Sequence, residues 1–318
     1  MPITGAELIQ AFKADVEAFF RSDSNFVLKI VDSGWNPPSC KGVGSKARIL
    51  LPTSYYEKQI ETYEELALMI VVLGHETAHF LNRHNEHADE SSLETQAIEM
   101  WADFYGVKLA LVAITFGEDI QRLAESVMVE TSMKVRIKLF ASVFATLANT
   151  YFAISHPTYP PAAVRVATCL AGLLSFFEKI FAFQALLRND AKEYEISVKP
   201  ETIVKRALGI QLWIYENAEL TKLVNESYTP ELYSDQIQLI SKIHRGIQSK
   251  QKELFEGMKE VPAHWLYLAY DALEKEREIN ANAKLSKLKD ALDSLGFDSS
   301  VIDEYKKASL SSLREDNI

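Results

Sequence analysis

Apolar residues recur at helical spacing at the start of the chain. Leu8, Phe12, Val16, Phe19 and Phe20 fall on one stripe of a 3.6-residue repeat and predict an amphipathic helix. The pattern then changes: "FVLKIV" at 26–31 and "ARILLP" at 47–52 are short β-like runs, separated by a loop rich in Gly, Pro and Ser. From Thr62 onward the helical period returns. It predicts helices over about 62–83, 91–114, 118–128, 130–154, 161–186, 198–217, 230–258, 261–279 and 282–294, with a last one near 300–314. The expected fold class is α+β, predominantly α. A long apolar stretch gives way to charge and then a proline over 186–202, which divides the chain into a domain at 1–190 and a helical C-terminal region at 191–318. The highly charged tail, 271–318, reads as a solvated helical extension.

Composition narrows the function classes. With 318 residues, 47% of them hydrophobic and 25% charged, the chain can bury a substantial core. A net charge of −10 and scattered lysines and arginines exclude a phosphate-backbone binder, so no nucleic-acid partner is expected. Two distant cysteines, Cys40 and Cys169, suit a reducing cytoplasm better than a disulfide scaffold. The first residues lack the basic and apolar regions of a signal peptide. The apolar segments 139–154 and 164–184 are interrupted by Asn149 and by Arg165, Glu178 and Lys179, and read as buried core helices rather than membrane spans. The expected location is therefore cytoplasmic. There is no phosphate-cradling glycine loop and no Gly-x-Ser-x-Gly elbow.

The chemistry concentrates in "VVLGHETAHFLNRH", 71–84. His75 and His79, four residues apart on a strong helical run, project from one face, and Glu76 sits beside them about 100° round the helix. Four of the seven histidines fall within 75–87. A metzincin would need Gly and His where Asn82 and Asn85 stand, so the third ligand must come from elsewhere. The next helix, "SSLETQAIEMWADFYGVKLALVA", offers it. Ser91 and Glu94 form a capping box and make Glu94 structural. Glu99 and Asp103 lie one turn apart, beside the small residues Ala102 and Gly106, which let the two helices approach closely. Glu99 is the expected ligand and Asp103 the group that orients a histidine.

The pair "HETAHFLNRH" and "EMWAD" resembles the gluzincin metallopeptidases of the HtpX and CAAX-prenyl-protease type, many of which have a histidine where His84 stands. The 19 residues between His79 and Glu99 are more like soluble relatives, including, at motif level, the phage-exclusion peptidase Lit. The resemblance covers 71–106 and implies a zincin-like core with one zinc per chain, held by His75, His79 and Glu99, and Glu76 as catalytic acid/base. It also implies an oxyanion donor and an arginine near the metal. "SHPTYPPAAVR", 155–165, supplies His156 or Tyr159 as donor and Arg165 as the arginine, with either alignment open.

The expected activity is a zinc-dependent endopeptidase acting on a protein or peptide, with "ARILLP" as the sheet edge along which substrate pairs. The alternative is a regulatory or interaction protein that keeps zinc structurally. That would need a fourth protein ligand, for which His84 and His87 are the nearby candidates.

Overall fold

The structure is a computed structural model describing residues 2–34, 37–86, 92–128, 132–154, 156, 159–189, 209–210, 212–227 and 257–259. The chain groups into two compact units, Met1–Phe176 with Ile210–Leu266, and Phe177–Gly209 with Tyr267–Ile318. The expected division at 190/191 lies outside the described residues, as do the helices expected over 261–279, 282–294 and 300–314.

Helices dominate. The first, α1 (Gly5–Ala18), begins at a capping box in which Thr4 accepts the Glu7 amide and Glu7 accepts the Thr4 amide. It buries Leu8, Phe12 and Val16 as the periodicity requires. Ahead of it β1 (Ile3–Thr4) pairs antiparallel with β5 (Gln59–Ile60), a ribbon too short to be read from alternation. The small sheet contains β2 (Ile30–Asp32), β3 (Ser39–Lys41) and β4 (Arg48–Leu51) in the order β2-β4-β3, with β2 parallel and β3 antiparallel to β4. Two expectations change here. β3 lies inside the segment expected to be loop. "ARILLP" is the central strand, its ladder groups already paired on both sides, so it is not an edge for substrate. The short helix α2 (Thr53–Glu57) follows β4 and also was not expected.

The core helices are α3 (Tyr63–Leu81) and α4 (Ser92–Phe116). Thr62 caps α3 by accepting the Glu65 amide. The expected Ser91 cap of α4 lies outside the described residues, and Glu94 stands in the first turn. α4 is buried on all sides: Ala97, Ile98, Trp101, Tyr105 and Leu109 are covered, and so are Ala102, Asp103 and Lys108. Its polar side faces other protein groups, not solvent. α3 and α4 cross with their backbones touching at Gly74 and Gly106. A Cβ at Gly106 would lie 2.6 Å from the His75 Cα, and one at Gly74 would lie 2.4 Å from the Gly106 carbonyl oxygen. Only glycine permits that approach.

Around this pair stand α5 (Glu118–Val127), α6 (Met133–Asn149) and α7 (Ala162–Asn189). Asp15 of α1 accepts the Asp119 and Ile120 amides at 3.1 and 2.8 Å, capping α5 from another helix. α6 ends five residues earlier than expected, where Thr150 leaves helical geometry (ψ −82°). α8 (Ala218–Ser227) falls in an expected gap: Asn217 accepts the Leu220 amide and starts a helix where one was expected to end. Of the helix expected over 230–258, only 257 and 258 are among the described residues; Gly257 lies in a turn and Met258 bridges Phe20. Among the described residues no helix is long and apolar enough to cross a membrane.

Candidate metal centre

Successive turns of α3 present His75 and His79, and successive turns of α4 present Glu99 and Asp103, across the glycine crossing. His75 Nε2 and His79 Nε2 are 3.1 Å apart. Glu99 places Oε2 3.4 Å from the first and Oε1 3.5 Å from the second. A tetrahedral ion with bonds near 2.1 Å has ligand–ligand edges of about 3.4 Å. The two imidazole nitrogens, and each of them to its nearer Glu99 oxygen, are thus spaced close to such an edge, and one ligand atom from each of the three residues lies within 4.8 Å of the others. These residues form a group that could hold a metal ion.

Behind these three side chains lies a second layer of partners. Asp103 Oδ1 is 2.9 Å from His75 Nδ1 and fixes that ring with its Nε2 toward the ligand face. Arg165, from the first turn of α7, grips Asp103 through Nε and Nη2 at 2.8 and 2.9 Å and reaches Glu99 at 3.5 Å. The guanidinium lies over the Phe152 ring at 4.0 Å. Close packing of α7 on α4 supports this grip, since a Cβ at Gly172 would meet the Phe104 carbonyl oxygen at 2.4 Å. His84 contacts His79 from the other side, Nδ1 to Nδ1 at 2.8 Å. Its Nδ1 thus faces the side of the His79 ring opposite Nε2.

Glu76, 6% exposed, adjoins His75 in the chain. Burial raises its carboxyl to about 7; His75 and Arg165 oppose the rise, Glu99 reinforces it, and the Cys40 amide donates to the carboxylate. Burial also pushes the Cys40 thiol up to about 12, with the Glu76 charge adding, so that thiol is no nucleophile. Tyr55 shares a hydrogen bond with Tyr151, and burial and then neighbouring groups, Glu76 among them, raise its phenol. Of the two oxyanion candidates, Tyr159 feels the charges of Glu99, Arg165 and Glu76, and its ring lies 5.4 Å from the Arg165 guanidinium. His156 is exposed, its ring 6.1 Å from that of Tyr159. Gly74, the Cys40 amide, Tyr55 and Tyr151 were not expected at the site from the sequence. Gly74 alone carried a signal, a small residue adjoining a candidate ligand.

Glu94, five residues before Glu99, projects about 140° away from it. Glu94→Gln should leave metal affinity unchanged and cost at most about 1 kcal/mol of stability. Lost affinity in a chelator competition would make Glu94 the ligand.

The cluster also sets the pH dependence of the metal-free protein. For Glu99, burial alone would raise the carboxyl, but His79, His75 and Arg165 hold it down to about 2, so its contribution is present above 4.5 and lost as pH falls through 2. For His75, burial alone would lower the ring, but Asp103 and Glu99 lift it to about 10, so its contribution is full below 6.5 and lost as pH rises through 10. Burial lowers His79 to about 4, despite Glu99, and its contribution fades as pH falls from 6.5 to 4. The Glu76 contribution fades in the opposite sense, from 4.5 to 7. These last two offset each other. The unfolding temperature of chelator-treated protein should therefore be highest between about pH 4.5 and 7 and fall on either side. A steady rise from pH 6 to pH 10 would contradict the His75 ion pairs.

No protein-family model, curated protein or solved structure matches the chain.

Proposed function

We propose that the protein is a zinc-dependent endopeptidase with a zincin-like core, holding one zinc through His75, His79 and Glu99. Two imidazoles and a carboxylate are a donor set that zinc takes in hydrolytic sites. The carrying observation is the His75, His79 and Glu99 group that could hold a metal ion, with a buried carboxylate, Glu76, on the residue next to His75. When bound, the zinc supplies a Lewis acid that polarises a peptide carbonyl and acidifies water. Glu76 takes the proton of the attacking water and delivers it to the leaving amine. Tyr159 donates to the carbonyl oxygen as it gains charge, and Arg165 holds Asp103 and Glu99 in place.

The substrate edge moves from β4 to β3. The Cys40 amide of β3 reaches Glu76, so an extended peptide pairing along that strand would lie beside the general base. A cleft of ≈ 350 Å³ adjoins it, lined by apolar residues such as Phe20, Phe26 and Phe80 and by polar ones such as Asn25, Arg83 and Glu86, and would receive a substrate side chain.

The structural-zinc alternative needs a fourth ligand. His84 is engaged at the Nδ1 of His79, away from the ligand face, and His87 lies outside the described residues. That geometry speaks against His84 as the fourth ligand. The test is metal content of the purified protein together with proteomic cleavage products in cells expressing wild type and Glu76→Gln. One zinc per chain with cleavage products confined to wild type supports the peptidase. Zinc with identical products in both supports the structural role.

A further inference from the structure

Had α3 continued, His84 would be rotated about 140° from His79 and could not reach it. Instead the helix ends at Leu81. Asn82 donates its side-chain amide to the Ala78 carbonyl at 2.6 Å, and Arg83 adopts the left-handed region at φ 52°. That reversal turns His84 back. It is 4% exposed, with its ring 4.9 Å from that of His79 and nearly perpendicular to it, at 81°. A non-glycine residue in the left-handed region is unfavourable, so the chain accepts local strain where it returns this imidazole to a ligand.

We propose that His84 is a positioning residue that holds His79 in the tautomer carrying its proton on Nδ1, and so presents the Nε2 lone pair to the metal. The inference rests on the metal-centre reading. The chemistry follows from one short contact. Two Nδ1 atoms 2.8 Å apart need a single proton between them. If His84 supplied it, His79 would carry its own proton on Nε2, the atom that faces His75 and Glu99 at 3.1 and 3.5 Å. That proton would occupy the lone pair a metal requires. Metal binding therefore selects the opposite arrangement: His79 donates, His84 accepts, and the hydrogen of His84 sits on Nε2. The two ligand histidines are thus oriented by different chemistry, His75 by the carboxylate of Asp103 and His79 by an imidazole.

The experiment measures zinc affinity by chelator competition for wild type, His79→Ala, His84→Leu and His84→Asn. Thermal unfolding of each metal-free protein is recorded beside it. Leucine keeps the bulk and removes the acceptor; asparagine can place its carbonyl oxygen where Nδ1 stood. The expected result is a loss of about 10–100-fold in affinity for His84→Leu, with His84→Asn recovering most of it at similar unfolding temperature. Nitrogen NMR of zinc-loaded wild type, which needs no variant to fold, should show His84 protonated at Nε2 and bare at Nδ1. Wild-type affinity in His84→Leu, equal losses in both His84 variants, or a proton on His84 Nδ1 in the loaded protein would each overturn the proposal. Full affinity in His79→Ala would instead overturn the metal centre itself, and is distinguishable because no His84 measurement enters it.

Discussion

Glu76→Gln should keep zinc affinity within a few-fold of wild type and lower peptide hydrolysis by about 10²–10⁴-fold, the range a positioned general acid/base contributes. Glutamine preserves the shape of the side chain and can still meet the Cys40 amide through its carbonyl oxygen, so the ligands next to it should not move. What it cannot do is hold a proton and release it. Burial makes the substitution mild for the fold, because a neutral amide avoids the desolvation that raises the glutamate. The metal-free variant should be as stable as wild type or more so at pH 8. Undiminished hydrolysis by the zinc-loaded variant would show that the proton is handled elsewhere.

Gly106→Leu should weaken zinc binding by about 100-fold or more, although residue 106 touches no metal, because ligand placement is sensitive to shifts well under one ångström. Any Cβ at 106 would lie 2.6 Å from the His75 Cα, 2.7 Å from its nitrogen and 2.9 Å from the Gly74 carbonyl carbon, all backbone atoms with no rotamer to change. The helices must separate. Separation moves Glu99 from the two imidazoles and Asp103 from His75 together, since both acids belong to α4. Overpacking costs ~1–3 kcal/mol in stability, whereas several ligand distances fail at once. Gly106→Ala should fall between wild type and leucine. Chelator competition beside thermal unfolding separates the two effects. Normal affinity in the leucine variant would mean that this crossing does not hold the site.

Much of the fold and of the site was legible in the residue pattern because it depends on interactions a few residues apart. A 3.6-residue period places His75 and His79 on one face wherever the helix sits, and also puts Asp103 one turn from Glu99. The apolar stripes of α1 and α3 mark helices for the same reason. The small residue Gly106 signalled a close contact, but what it contacts is set by tertiary packing, and it is the backbone of His75 and Gly74.

Elsewhere the deciding partners are distant in sequence. β3 forms because Ser39–Lys41 finds β4, which makes "ARILLP" a central strand; neither run shows by itself which edge will be free. Likewise α4 looks amphipathic by its acids, yet Arg165, more than 60 residues away, meets them, so its polar side is interior. His84 is the sharpest case. Helical spacing turns it away from His79, and only a helix that stops at Leu81 and a left-handed Arg83 bring it back. Periodicity determines which residues share a face of a helix. Where that helix ends, and what approaches its other faces, is decided by packing that competes with local preference.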